Sequence, residues 1–118
     1  MTEQLNLFVY GTLAPGQPNE RQLSDVPGSW TPATVRGKLY QLGWGGISRY
    51  PGIVLDEKES EVMGQIFSSN ELSEHWSRLD DFEGSEYNRV ITRATLVDGS
   101  TEKVFIYALR PGVQVTND

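Results

Sequence analysis

The sequence predicts an α+β fold: a mostly antiparallel, curled sheet or small β-barrel with one main helix and a short N-terminal helix. Apolar, aromatic and β-branched residues fall in short runs separated by Gly, Pro and polar residues, which is typical of strands. One segment, residues 70–83, has a clear helical period. Gly37 interrupts a strand-like run and indicates a bulge or bend that curls the sheet, which favours a barrel.

Length and composition predict a single domain over residues 1–118. A chain of 118 residues with 37% hydrophobic content can bury one core without covalent staples, and no repeat or linker divides it. Cysteine is absent, which excludes disulfides, thiolate nucleophiles and cysteine-based metal sites.

Charge narrows the class of partner. The net charge is −6 and no Lys/Arg cluster is present, which argues against nucleic acid, because that partner requires a basic surface. Glu3 stands where a signal peptide would carry a basic residue, and the apolar run after it is too short to span a bilayer. We therefore expect a cytoplasmic protein that binds a small molecule and neither a membrane nor nucleic acid. The sequence leaves the oligomeric state open.

The first strand ends at a candidate binding loop. Leu5–Tyr10 reads as a buried strand, and Gly11 lets the backbone leave it at angles that other residues resist. Backbone amides without ladder partners should follow, and such amides hold carboxylates or developing oxyanions. Tyr10, Gly11, Thr12 and Leu13 are therefore a candidate cradle for an anionic ligand. The same pattern also fits an ordinary strand end and turn.

The middle of the chain alternates strands and loops. Asn19 can cap a short helix over 19–23, which Pro27-Gly28 would stop. The other predicted elements are strand Val35–Leu42, loop Gly43–Gly52, and strands Ile53–Leu55 and Glu61–Phe67.

The main helix is predicted from Ser68-Ser69-Asn70, whose side chains can cap it, to about Phe82. Leu72, Trp76 and Leu79 form one buried stripe, and four further residues lead to Glu83. At about 100° per residue these four positions fall within an arc of roughly 60°.

A carboxylate on this apolar stripe makes Glu83 the candidate catalytic acid/base. The helix C-terminus, the nearby charges of Asp80 and Asp81, and partial burial would all disfavour its ionised form. We expect these effects to raise the pKa of Glu83 toward the range useful for proton transfer. The alternative is a solvated glutamate at a helix end.

The chain closes with a predicted hairpin. Strands Tyr87–Val97 and Thr101–Leu109 are joined through Asp98-Gly99, a strong turn signal. The second strand is apolar on both faces and is therefore expected to be central. Tyr107 on this strand is a further candidate to contribute a hydroxyl to the binding cavity.

No metal or cofactor is predicted. His75 is the sole histidine and lies at the flank of the apolar stripe, so a structural or surface role is expected. Trp30, Trp44 and Trp76 lack a basic groove beside them, which indicates core or rim positions rather than a stacking platform.

Two motifs carry a resemblance to a known family. We call Phe8–Leu13 the strand-end motif and Leu79–Gly84 the helix-end motif. With the segments between and after them, the sequence resembles the γ-glutamylcyclotransferase-like, or AIG2-like, family over nearly its whole length; the further segments are Leu39–Gly43, Tyr50–Gly52 and Tyr87–Val90.

The resemblance implies a barrel with a cavity at one end, where Tyr10, Gly11, Thr12 and Leu13 bind substrate and Glu83 is catalytic. The implied reaction cyclises a γ-glutamyl amine or amino acid to 5-oxoproline and releases the amine, without a cofactor. Ala14-Pro15 and Asn19-Glu20 depart from the family pattern, which leaves the released amine open. The alternative is a non-catalytic small-molecule-binding or regulatory protein on the same scaffold.

Overall fold

The computed structural model describes residues 4–10, 23, 26–42, 50–83 and 87–109. They contain a 3₁₀ turn, Leu72–Glu74, and an α-helix α1, Trp76–Glu83. Six strands accompany them: β1 (Leu5–Val9), β2 (Ser29–Leu42), β3 (Tyr50–Leu55), β4 (Glu61–Ser69), β5 (Tyr87–Leu96) and β6 (Thr101–Leu109). Within these residues no helix has the length and apolarity required to cross a bilayer.

The strands form a closed, curled sheet, as the sequence predicts. Their order is β1-β4-β2-β3-β6-β5, and a further parallel pairing between β1 and β6 closes five of them into a ring. The sixth strand, β5, pairs with β6 from Tyr87 to Thr95 and touches β2 through two residue pairs. All pairings except β1–β6 and β3–β6 are antiparallel.

The two faces of β1 explain the apolar character of its sequence. Phe8 packs into one cluster of buried residues, together with Ile53 and Ile106. Leu7 and Val9 pack into the second cluster, which also contains Leu79 of α1. Because successive strand residues point to opposite faces, a strand buried on both faces requires a continuous apolar run.

Glycines in β2 and β3 mark close approaches between strands. At Gly37 the partner of β2 changes from β4 to β3, which agrees with the predicted bend. A Cβ atom at Gly52 would lie 2.5 Å from a side-chain carbon of Leu109. Gly52 lies in β3, which begins at Tyr50. The last three residues of the predicted loop Gly43–Gly52 are therefore strand residues, and that part of the prediction was wrong.

The hairpin turn is confirmed. Gly99 has φ of +89°, a conformation that favours glycine, and its N–H donates to the Leu96 carbonyl at 2.9 Å. The Asp98 carboxylate accepts hydrogen bonds from the backbone and the hydroxyl of Ser100. Local side-chain bonding of this kind is what makes Asp-Gly a turn signal.

The prediction of one continuous helix from residue 70 was wrong. Strand β4 extends to Ser69 because Asn6 and Leu5 pair with Ser68 and Ser69. The Ser69 hydroxyl instead accepts the N–H of Glu71 at 3.0 Å, and the chain makes a 3₁₀ turn before α1 begins at Trp76. Because Ser68 and Ser69 pair with β1 as strand residues, they do not form the N-terminus of a helix.

The predicted helix over 19–23 lies outside the described residues except for Leu23. Leu23 is fully buried, and its carbonyl accepts the N–H of Val26 at 3.0 Å. The short N-terminal helix therefore stays a prediction.

Candidate functional site

The candidate site lies at the end of the barrel where β1 stops. Tyr10 is the first residue after β1, and its half-buried side chain packs against the barrel core. Its hydroxyl donates a hydrogen bond to the Tyr107 carbonyl at 2.5 Å and accepts one from the Ile53 N–H at 3.2 Å. One side chain thus connects the end of β1 to both β6 and β3.

This hydroxyl lies where the pairing along β6 passes from one strand to another. Leu7 and Phe8 of β1 pair with Phe105 and Ile106, whereas Ile53 of β3 pairs with Ala108. Between these pairings, the Tyr10 hydroxyl forms hydrogen bonds with the Tyr107 carbonyl and the Ile53 N–H. It thus supplies the partners that backbone groups of β1 would supply if the strand continued. It thereby fixes the residue after β1 against β3 and β6.

Tyr107 is bonded to both motifs. Its carbonyl accepts the Tyr10 hydroxyl of the strand-end motif, and its own hydroxyl donates to Asp80 Oδ1 of the helix-end motif at 2.6 Å. Burial, and then the Asp80 carboxylate, raise the pKa of the Tyr107 hydroxyl well above its usual range. Tyr107 therefore remains a hydrogen-bond donor at neutral pH.

Asp80 is also paired with Arg89 of β5. Arg89 Nη1 donates to both carboxylate oxygens, at 3.0 and 3.1 Å. The guanidinium carbon lies 4.3 Å from the ring centre of Trp76, which itself lies 5.1 Å from that of Phe105. The cation is thus stacked on an aromatic pair while it neutralises Asp80.

Asp80 and Arg89 belong to the hydrogen-bond network of the candidate site, and the sequence reasoning missed them. Asp80 was interpreted only as a like charge beside Glu83, and its pairing with Arg89 weakens that part of the argument. A signal existed: Arg89 lies on the face of the last hairpin that carries Phe105 and Tyr107 across the ladder. Opposite charges in the helix-end motif and on this face are candidates for a pair.

Glu83 is the last residue of α1. It follows Asp80 by three residues, which is about 4.5 Å along a helix axis. Trp76, Leu79 and Glu83 all lie on α1, and Leu79 is fully buried; that Glu83 shares the buried side of the helix stays a prediction. Tyr87, four residues after Glu83, pairs with Leu109 at the end of β6. Four residues span at most about 14 Å, so Glu83 lies near the same barrel end as Tyr10.

The remaining predicted residues divide into two groups. Gly11, Thr12 and Leu13 lie outside the described residues, so the amide cradle stays a prediction. The hydroxyls of Tyr10 and Tyr107 are both engaged by groups of the protein, which indicates a role in holding the site together. Their contact with a substrate stays a prediction.

Metal ligands are not grouped in the described part of the chain. Among those residues no three of His, Cys, Asp or Glu lie close enough together to hold an ion. Asp80, the carboxylate at the centre of the network, is bonded to an arginine and a tyrosine.

Comparisons with known proteins agree with this fold. A curated protein of Halalkalibacterium halodurans is 34% identical over 84 residues, which are 65% of this chain and 67% of that protein. Its name assigns it provisionally to the gamma-glutamylcyclotransferases. A crystal structure of a mouse AIG2-like protein matches with a TM-score of 0.73 and 24% identity, over 94% of this chain and 80% of that one.

A protein of Arabidopsis thaliana, solved in solution, is 31% identical and matches with a TM-score of 0.67, over 94% of this chain and 72% of that one. The sequence profile of the family described as "Gamma-glutamyl cyclotransferase, AIG2-like" matches residues 7–118, which include both motifs and the strand that carries Tyr107. The chain therefore belongs to the gamma-glutamyl cyclotransferase, AIG2-like family.

Proposed function

We propose that this protein is a γ-glutamylcyclotransferase, which converts a γ-glutamyl amine or amino acid into 5-oxoproline and releases the amine. The observation that carries the proposal is the double role of Tyr107. Its carbonyl is bonded to Tyr10 and its hydroxyl to Asp80, so one residue holds the strand-end motif and the helix-end motif together. Membership of the family supports the reaction class.

The reaction needs no protein nucleophile. The α-amino nitrogen of the γ-glutamyl group attacks its own γ-carbonyl carbon, and a new C–N bond closes a five-membered ring. The bond from that carbon to the leaving nitrogen then breaks. One proton moves from the attacking nitrogen to the leaving nitrogen, so the reaction is redox-neutral and consumes no water.

Two tasks fall to the enzyme. The backbone amides of Gly11, Thr12 and Leu13 bind the α-carboxylate and favour the conformer that cyclises. The Glu83 carboxylate takes the proton from the attacking nitrogen and delivers it to the leaving amine. General acid–base catalysis of this kind contributes roughly 10² to 10⁴ in rate.

The experiment is a panel of γ-glutamyl amines, amino acids and peptides incubated with purified protein, with release of 5-oxoproline measured. We expect turnover of at least one compound and a loss of about 10²-fold or more in Glu83→Gln. Glu74→Gln, which removes an exposed carboxylate from the neighbouring 3₁₀ turn, is the matched control and should retain activity.

Two results would contradict the proposal. Equal turnover by the wild type and Glu83→Gln, with unchanged circular dichroism, would remove Glu83 from the mechanism. No product from any compound, together with ligand-dependent increases in melting temperature, would instead identify a binding protein on the same scaffold.

A further inference from the structure

A second cavity lies in the wall of the barrel, beside the point where β2 changes partner. Strand β2 pairs with β5 at Ala33 and Thr34 and with β3 from Gly37 onward. The cavity has a volume of about 600 Å³ and is lined by residues of β2 to β6 and of the turn that joins β3 to β4. Small-molecule pockets in proteins have volumes of roughly 300–1,000 Å³. Neither Tyr10 nor Tyr107 is among its described lining residues, so this cavity is separate from the candidate site.

The cavity contains two like charges that the protein does not neutralise. Arg93 of β5 and Lys103 of β6 stand directly opposite each other in the antiparallel ladder, and both are exposed. Like charges in this arrangement destabilise a sheet. Arg93 makes a long hydrogen bond of 3.4 Å to the Thr101 hydroxyl, and neither cation pairs with a carboxylate of the described residues. Acidic residues outnumber Lys and Arg by 16 to 10 in the chain, so a shortage of carboxylates does not explain the unpaired cations.

The part of the cavity formed by the turn after β3 and the start of β4 is negative. It contributes Asp56, Glu57 and Glu61. Glu61 accepts a hydrogen bond from the Thr34 hydroxyl at 3.0 Å, and Asp56 accepts the Lys58 N–H at 2.9 Å, whereas the Glu57 carboxylate makes no hydrogen bond within the described residues.

The charges of the lining are balanced but unpaired. Arg36 is the third cation, and its Nη1 donates to the Glu59 carbonyl at 3.0 Å. The described lining thus carries three cations and three carboxylates, and no ion pair joins any of them. A polyanion such as a nucleotide would meet three carboxylates, whereas a ligand with one charge of each sign can match both parts of the cavity.

Apolar side chains complete the lining. Val35 belongs to the buried core of the barrel, and Leu55 packs against that core. Ile91 is 55% exposed, which is unusual for a large apolar side chain beside a cavity. The cavity therefore reaches from exposed charges to the apolar core, and an apolar group of a ligand would cover Ile91.

We infer that this cavity binds a zwitterionic amino acid or dipeptide with an apolar side chain. The ligand carboxylate accepts hydrogen bonds from Arg93 and Lys103, and the ligand ammonium group donates to Glu57. Binding relieves the repulsion between the two cations, because it places a negative charge beside both. The inference goes beyond the proposed function and does not depend on it.

The test is a ¹H–¹⁵N NMR titration of the full chain with glycyl-L-leucine and, separately, with L-leucine. Neither compound has a γ-glutamyl group, so neither is a substrate of the proposed reaction. We expect saturable shifts of the Arg93 and Lys103 backbone amides with at least one compound. Arg93→Met and Lys103→Met should each weaken binding about fivefold, the upper value for an exposed ion pair. Lys58→Met is the matched control, because it removes an exposed lysine that does not line the cavity, and it should leave the affinity unchanged.

Capped peptides identify which protein group meets which end of the ligand. N-acetyl-glycyl-L-leucine lacks the ammonium group, and glycyl-L-leucinamide lacks the carboxylate. Glu57→Gln should weaken binding of glycyl-L-leucine but not of its N-acetyl form, and Arg93→Met should weaken binding of glycyl-L-leucine but not of its amide. Pairing a change in the protein with a change in the ligand isolates each contact.

Three results would overturn the inference: shifts that rise linearly with both ligands and never saturate, capped peptides that bind as tightly as glycyl-L-leucine, or saturable shifts confined to the candidate site around Tyr10 and Tyr107. If Arg93→Met does not fold, Lys103→Met provides the same comparison. The 5-oxoproline assay uses other compounds, so its failure would refute the proposed function and leave this inference standing.

Discussion

Tyr10→Phe tests whether the Tyr10 hydroxyl joins β1, β3 and β6. The substitution keeps the ring and its packing but removes a donor to the Tyr107 carbonyl and an acceptor for the Ile53 N–H. Ile53 is fully buried, so its amide has no access to replacement water. A net loss of about 0.5–1.5 kcal/mol per hydrogen bond, with an added penalty for the unpaired amide, gives about 2–4 kcal/mol.

The assay is equilibrium unfolding in urea followed by tryptophan fluorescence. Domains of this size have slopes of about 1–3 kcal/mol per molar urea, and with a slope of about 2 the midpoint should fall by roughly 1–2 M. Tyr40→Phe is the matched control, because Tyr40 is also a half-buried tyrosine on a barrel strand and its hydroxyl makes no hydrogen bond within the described residues. Its midpoint should change by less than about 0.3 M. Equal midpoints for the two variants would show that the Tyr10 hydroxyl does not stabilise the junction of β1, β3 and β6.

Three further predictions concern stability. Gly64→Ala should cost about 1–3 kcal/mol in the free energy of unfolding, because the new Cβ would lie 2.5 Å from the Val9 carbonyl oxygen; urea unfolding unchanged from the wild type would contradict this. Gly99→Ala should cost about 1 kcal/mol through backbone strain alone, since no atom lies within 4 Å of the added Cβ; a lower melting temperature checks it, and a stabilised variant would be inconsistent with φ of +89°. The pKa of Tyr107 is raised above its ordinary value of 10.0, so its contribution to stability is complete below that pH and decreases above it, as the unfolded chain ionises first. The stability difference between the wild type and Tyr107→Phe should therefore narrow by up to about 1.4 kcal/mol per pH unit above pH 10, and a constant difference would contradict the buried donor.

Strand positions were predictable where the signal is local. Alternation and turn residues gave the last hairpin, with β6 spanning the predicted Thr101–Leu109 and the turn at Gly99. The helix was less predictable. Its capping residues at Ser68 and Ser69 are equally good strand residues, and pairing with β1 decides between the two.

The site was predictable in part. The motif residues and the helical period predict Tyr10 and Glu83 as site residues; Glu83 ends a helix as expected, and its role in the site stays a prediction. Asp80 and Arg89 were not identified as partners, because the face of the hairpin that carries Arg89 makes it a candidate for a pair without specifying which carboxylate it meets. The segment that ends at Gly52 was likewise interpreted as a loop. In the structure Gly52 lies close to the side chain of Leu109, which leaves no room for a Cβ atom. From sequence alone, a glycine required for such close packing cannot be distinguished from a glycine required for a turn.

The sequence by itself determined the strand-rich fold class, the two motifs and the position of Glu83 at a helix end. Each depends on residues within one turn or one hairpin of each other. Only the tertiary structure decided that Tyr107 joins the motifs and that Arg89 balances Asp80. The Tyr10–Tyr107 bond connects residues 97 positions apart and the Tyr107–Asp80 bond residues 27 apart. Such contacts form only when β1 pairs with β6 and closes the ring, and that pairing depends on the whole sheet.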